Sequence, residues 1–208
     1  MAKERLKSPR ARLFVALDLP PAVREGLGEW QRAELAADPA LRPPQAETLH
    51  ITLAFLGYHP KRAVGRIADA ALGLELTAPL ITLRPDPVPV PRSRPRLYAI
   101  DADSDETVTL QSDVERRLVE AGFYEPEKRD FWPHLTVARV RSAKRPPGRR
   151  RGKPARVERP PGPLPEALLD PFRGVRIALY RSHLRPSGAE YESLAQTELL
   201  PRGGGKAS

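Results

Sequence analysis

Two short stretches of this sequence pair a histidine with a threonine two residues on: His50-Ile51-Thr52-Leu53 and His134-Leu135-Thr136-Val137. Imidazole titrates at about 6.5, so one ring can be neutral while its neighbour is protonated near neutral pH. Such a pair can take a proton from an attacking oxygen and hand one to a leaving oxygen. A threonine hydroxyl can donate to the non-bridging oxygens of a phosphate, where transition-state charge must be held. Two copies supply an acid, a base and two neutral donors, which suits acid–base chemistry at phosphorus. Neither motif carries a carboxylate or thiolate, a poor donor set for zinc, and the chemistry needs no metal. A lone His-x-Thr is common by chance and a lone strand histidine is usually structural. Here the two motifs use two of only four histidines.

The elements around the motifs must put both on one face. Leu49 to Leu56 and His134 to Val140 are apolar, β-branched runs that read as strands, the first ended by Gly57. Alternation turns His50 and Thr52 one way, and Ile51, Leu53 and Phe55 the other. The same alternation separates His134 and Thr136 from Leu135 and Val137. Upstream, Arg12 to Asp18 reads as a strand and Pro21 to Ala36 as an amphipathic helix opened by prolines. Trp30 on that helix is either core or a base-stacking platform. Arg62 to Leu74 reads as a second helix, Pro79 to Leu83 as a short strand, and Pro85 to Pro95 as a proline-dense connector. Arg96 to Ile100 reads as a strand, with Asp101 to Glu106 as turn and cap. A third helix through Leu110, Val114, Leu118 and Val119 stops near Gly122. Further strands are expected at Gly174 to Tyr180 and Tyr191 to Leu200, with a turn at Ser182 to Ser187. His59, beside Pro60, reads as a solvated loop residue.

The order helix, loop, His-x-Thr strand thus occurs twice, with the histidines 84 residues apart (134 − 50). That layout predicts an α+β fold of two duplicated lobes about a pseudo-twofold axis. Little residue-level repetition is visible beyond the motifs. Residues 11–200 are expected to form one bilobal domain, between a disordered leader (1–10) and tail (201–208).

The formal net charge of +9 and pI near 10.2 favour an anionic partner, with nucleic acid first. Ser142 to Pro165 concentrates Lys144, Arg145, Arg149, Arg150, Arg151, Lys153 and Arg156 among prolines and glycines. It reads as a flexible insertion, either merely solvated or acting as an electrostatic arm for an RNA backbone. There is no cysteine, hence no disulfide, thiolate nucleophile or cysteine-based zinc site. No apolar run approaches a membrane span, and Met1 to Arg10 lacks the apolar core of a signal peptide. A cytoplasmic, monomeric protein is expected.

Motifs and flanks together resemble the two-histidine (2H) phosphoesterases, in particular the LigT-like RNA 2′,3′-cyclic phosphodiesterases, also called 2′-5′ RNA ligases. The resemblance runs through Arg12 to Pro20, Leu49 to Gly57, Arg94 to Tyr98, Phe131 to Arg139, Leu179 to Leu184 and Gly188 to Tyr191. It implies a bilobal α+β fold with antiparallel sheets forming a central cleft and helices packed outside, no cofactor, and RNA ends or nucleotides bearing a 2′,3′-cyclic phosphate as substrate. It implies His50 as the acid for the ribose 3′ oxygen, His134 as the base for water, and Thr52 and Thr136 as phosphate ligands. The near-symmetry of the motifs does not assign acid and base independently. Arg139 matches the family's substrate-binding arginine, although strict alternation turns it away from His134. Joining or cutting of 2′-5′ linkages would use the same residues. A non-catalytic RNA-binding protein would not need matched titratable pairs.

Overall fold

A computed structural model describes residues 9–73, 76–142, 154–185 and 188–201. Most of the expected leader and tail lie outside the described residues. So do Lys144, Arg145, Arg149, Arg150, Arg151 and Lys153. In chain order the strands are β1 (Arg10–Asp18), β2 (Leu41–Arg42), β3 (His50–Pro60), β4 (Leu80–Leu83), β5 (Val88–Val90), β6 (Leu97–Asp103), β7 (His134–Val140), β8 (Phe172–Arg173), β9 (Arg176–Arg185) and β10 (Gly188–Glu198). The helices are α1 (Pro21–Leu35), α2 (Val64–Leu72) and α3 (Asp105–Glu120). None of them is long and apolar enough to cross a membrane.

The strands lie in the order β10-β9-β1-β3-β7-β6-β4-β8, with β2 added beside β7 and β5 beside β6. Pairings between these strands are all antiparallel. The path divides into two lobes of four strands, β10-β9-β1-β3 and β7-β6-β4-β8, each with its motif strand at the inner edge. Across the join only Ile51 and Leu135 are register partners. With a single pair holding them, the sheets diverge there and leave a cleft. The fold is α+β and bilobal, with the motif strands side by side.

The duplication is deeper than the motifs. In the first lobe Asp18 is the register partner of His50 and Ala16 of Thr52. In the second Asp101 partners His134 and Ala99 partners Thr136. Both ladders then slip at the next residue: Ala54 pairs Val15, and Ala138 pairs Tyr98. Leu53 and Val137 are therefore β-bulges at equivalent places. The helices exchange supports, since α1 follows β1 but packs on β7, while α3 follows β6 and packs on β3. Helix α1 begins with Pro21 at its first position and buries Leu27, Trp30 and Leu35. Helix α3 is capped by Ser104, whose Oγ accepts from Thr107 N at 2.9 Å, and buries Leu110, Val114 and Leu118.

Several sequence expectations move. Gly57 does not end its strand: at φ +73° it takes a left-handed bulge conformation, and β3 continues to Pro60. The reason is β1, which starts at Arg10 and pairs with Tyr58, His59 and Pro60. Arg10 thus belongs to the domain rather than the leader. His59 is consequently half-buried, its Nε2 3.1 Å from the Leu56 carbonyl and its ring edge-on to Phe123. Asp101 lies in β6 rather than in a turn. Ser182 to Arg185 continue β9, because β10 begins at Gly188 and pairs back along them. The connector Pro85 to Pro95 contains β5, whose Pro89 is tolerated because β5 is an edge.

The expected flexible insertion 142–165 needs a similar correction over its second half. Ser142 and Pro154 bridge each other. Asp38 Oδ2 accepts from the backbone N–H groups of Glu158 and Arg159 at 2.6 and 2.9 Å. Glu34 accepts from Gly162 N at 2.9 Å. Trp30 Nε1 donates to the Pro163 carbonyl at 3.1 Å, which makes Trp30 core, and Leu164 is buried. Carboxylates on and just after α1 thus tie down a segment too poor in apolar residues to fold alone.

Candidate active site

His50 and His134 stand at the starts of their strands, and each Nδ1 lies 2.7 Å from the carbonyl oxygen two residues earlier, Thr48 and Trp132. A carbonyl only accepts, so Nδ1 carries the proton in both rings. Each Nε2 is thereby freed for the cleft. His50 Nε2 is 3.2 Å from Thr52 Oγ1. Running antiparallel from the Ile51–Leu135 pair, the register sets His50 beside Thr136 and Thr52 beside His134. All four line one cavity of about 400 Å³, together with Arg139. The structure therefore brings all five residues expected from the sequence together.

Arg139 arrives by way of the bulge. Val137 and Ala138 are both buried, so alternation is reset and Arg139 returns to the face of His134. Gln31, buried on α1, donates to the Val137 carbonyl at 2.7 Å, satisfying the group that the bulge takes out of the ladder. In the first lobe the same reset brings Phe55 out of the core, against the alternation expected from sequence. It is 42% exposed, and the Arg12 guanidinium sits 4.5 Å over its ring.

Aromatic rings fix both imidazoles. His50 stacks on Phe14 at 5.0 Å and meets Tyr191 edge-on at 5.3 Å. His134 stacks on Trp132 at 4.3 Å. Behind each histidine lies the carboxylate of its register partner. Asp18 is 3% exposed, pairs with Arg176 at 2.6 Å, and accepts from the Tyr180 hydroxyl at 2.9 Å. Burial and the Asp18 charge push the Tyr180 phenol up to about 12, so it stays a donor. Asp101 accepts from Trp132 Nε1 at 3.2 Å and so fixes the ring under His134.

Burial holds both imidazoles below their ordinary pKa. For His50 the Thr48 carbonyl and Asp18 oppose that shift, while Arg139 and His134 add to it. For His134 the Trp132 carbonyl and Asp101 oppose it, and Arg129 adds to it. Two neutral imidazoles sharing one tautomer, two hydroxyls and a guanidinium can receive an anionic phosphodiester and exchange protons with it. Among the described residues no group of three or more His, Cys, Asp or Glu could hold a metal.

Asp18, Asp101, Trp132 and Phe55 went unseen as site residues in the sequence. The signal was there for the carboxylates: Ala16-Leu17-Asp18 and Ala99-Ile100-Asp101 precede their histidines by 32 (50 − 18) and 33 (134 − 101) residues.

The chain is similar to known proteins in sequence and in fold. The sequence model for LigT-like phosphoesterases matches residues 17–87. The RNA 2′,3′-cyclic phosphodiesterase of Methanothermobacter thermautotrophicus is 31% identical over 191 residues, spanning 89% of this chain and 97% of that one. The protein of the same name from Methanocaldococcus jannaschii is 27% identical over 187 residues, spanning 89% and 99%. A Thermus thermophilus crystal structure superposes with a TM-score of 0.72 at 28% identity, covering 90% of this chain and 97% of that one. Ligand-free Escherichia coli LigT shares the fold, with a TM-score of 0.68 at 23% identity, covering 92% and 99%. A relative so similar, matched along nearly its whole length, makes this chain a member of the LigT-like phosphoesterase family.

Proposed function

We propose that the protein hydrolyses the 2′,3′-cyclic phosphate of RNA ends or nucleotides to a 2′-phosphate, without a metal, by acid–base catalysis between His50 and His134. The observation that carries this reading is the pair of Nδ1-tethered imidazoles whose Nε2 atoms share one cleft with two threonines. The similarity to RNA 2′,3′-cyclic phosphodiesterases supports the substrate class. His134 takes the proton of the attacking water through Nε2. As the new P–O bond forms, the bond from phosphorus to the ribose 3′ oxygen breaks, and His50 gives that oxygen its proton. The family resemblance supports His50 as the acid and His134 as the base. Thr52 and Thr136 donate to the non-bridging oxygens, and Arg139 offsets their charge. The bound anion favours the charged form of one imidazole, restoring the single proton the pair needs. His50, Thr52, His134, Thr136 and Arg139 all come from one chain, which supports a monomer as the working unit.

Product analysis with a 2′,3′-cyclic nucleotide, with and without EDTA, tests this. A 2′-phosphate formed equally in both is expected. A 3′-phosphate product would overturn the assignment of the leaving oxygen, and turnover lost to EDTA and restored by zinc or manganese would overturn the metal-free mechanism.

A further inference from the structure

A second cavity, of about 570 Å³, lies beside the catalytic cleft. Pro44, Thr48, Arg139, Ala189 and Tyr191 line both, so the two run together. Arg42 and Arg141 line the second alone, as does Glu190. Among the described residues, three arginines and one glutamate thus line the second cavity. Arg42 and Arg139 are register partners across β2 and β7. Like charges opposed on a sheet are destabilising, and neither arginine makes an ion pair or side-chain hydrogen bond with a described residue. Arg141 donates only its Nε, to the Pro39 carbonyl at 3.0 Å. The rest of its fork is unpaired with any described residue.

Such a set lacks an anion. If the reacting phosphate lies between the histidines, the next anionic group on an RNA end is the phosphodiester on the 5′ side. A free 2′,3′-cyclic nucleoside phosphate has none there. Opposed side chains on a sheet stand about 5 Å apart, so Arg42 extends the positive charge outward from Arg139 toward that neighbouring group. The lining that belongs to the catalytic cleft alone is unlike this. It offers Phe55, with Arg12 stacked on it, and Leu184 at 65% exposure, surfaces suited to the face of a base.

Resting on the function proposed above, we infer that the second cavity binds the phosphodiester immediately 5′ of the cyclic-phosphate nucleotide. The preferred substrate is then the end of an RNA chain, not a free cyclic nucleotide. Arg42 and Arg141 grip the phosphate oxygens, as guanidinium forks do.

Three substrates test this: a 2′,3′-cyclic mononucleotide, a cyclic-phosphate-ended oligoribonucleotide, and the same oligonucleotide with an uncharged methylphosphonate at its last linkage. With the wild-type enzyme the methylphosphonate should lower kcat/KM by about ten-fold, the size of a lost charged hydrogen bond. Arg42→Gln and Arg141→Gln should each lower kcat/KM by about ten-fold on the natural oligonucleotide and leave the mononucleotide unchanged. They should lose little more with the methylphosphonate, because enzyme and substrate changes remove the same contact. Wild-type indifference to the methylphosphonate, alongside normal mononucleotide turnover, would overturn this inference alone. Equal losses by the variants on oligonucleotide and mononucleotide would do the same. Failure of the wild type on every substrate would overturn the proposed function, and this inference with it.

Discussion

Each motif imidazole is held by a carbonyl two residues back, an aromatic face and a carboxylate on the neighbouring strand. The carbonyl selects the tautomer, the ring limits rotation, and the carboxylate opposes part of the effect of burial. His50→Ala and His134→Ala should each reduce turnover of a cyclic nucleotide by roughly 10²–10⁴-fold, the usual range for a lost acid or base. The double variant should fall short of the product of the two losses, because the proposed mechanism has both act in one step. Steady-state kinetics on folded variants checks this, and near-normal turnover by either single variant would overturn the catalytic role proposed for that histidine. The lowered pKa values carry a second prediction, with a sign. In the proposed mechanism the pair works with one proton shared between two groups, and burial holds each imidazole below its ordinary pKa. The singly protonated form of the free enzyme is therefore most populated on the acid side of about 6.5. The bell-shaped profile of kcat/KM should peak there, and a maximum well above neutrality would contradict it.

At the scale of elements, the β-bulge at Val137 does the positioning that the motif itself cannot. It returns Arg139 to the cleft, and its carbonyl depends on Gln31 from a helix that precedes it by about a hundred residues in the chain. Replacing Gln31 with Met keeps the volume but leaves that buried carbonyl without a donor. The variant should lose about 1–3 kcal/mol of unfolding free energy in urea titration. Its kcat/KM should also fall, because Arg139 is no longer braced. Unchanged stability and unchanged kinetics together would mean that the bulge holds itself. Asp38 and Glu34 act comparably on residues 154–165, supplying acceptors to backbone N–H groups that no strand pairs.

For the whole molecule, one apolar register pair joins the two motif strands. Ile51 and Leu135 are both completely buried. Ile51→Ala and Leu135→Ala should each cost about 2–5 kcal/mol, as large-to-small changes in a packed core do. Because the two side chains share one contact, the double variant should depart from additivity by about 0.5–3 kcal/mol. Denaturant unfolding of the four proteins closes this cycle, and strictly additive losses would show that the lobes are registered elsewhere.

The sequence by itself determined the motifs, the face each strand turns to the cleft at His50, Thr52, His134 and Thr136, the helix–strand order and the α+β, duplicated layout. Those features rest on local periodicity, which a strand or helix cannot escape. It also held the Ala-x-Asp echo at Asp18 and Asp101, legible only once its spacing to each histidine is measured. What the tertiary structure alone decided is every feature that depends on a distant partner. Gly57 does not stop β3 because β1 reaches back to Arg10. Arg139 and Phe55 face the cleft because a bulge resets the alternation beside a neighbouring strand. Asp18 meets Arg176 from 158 residues away, and Arg42 meets Arg139 across 97 (139 − 42). Residues 154–165 carry too few apolar side chains to signal order, and they are held by carboxylates more than a hundred residues upstream. A side chain's own neighbours set its period, but only the folded chain sets which donor meets which acceptor.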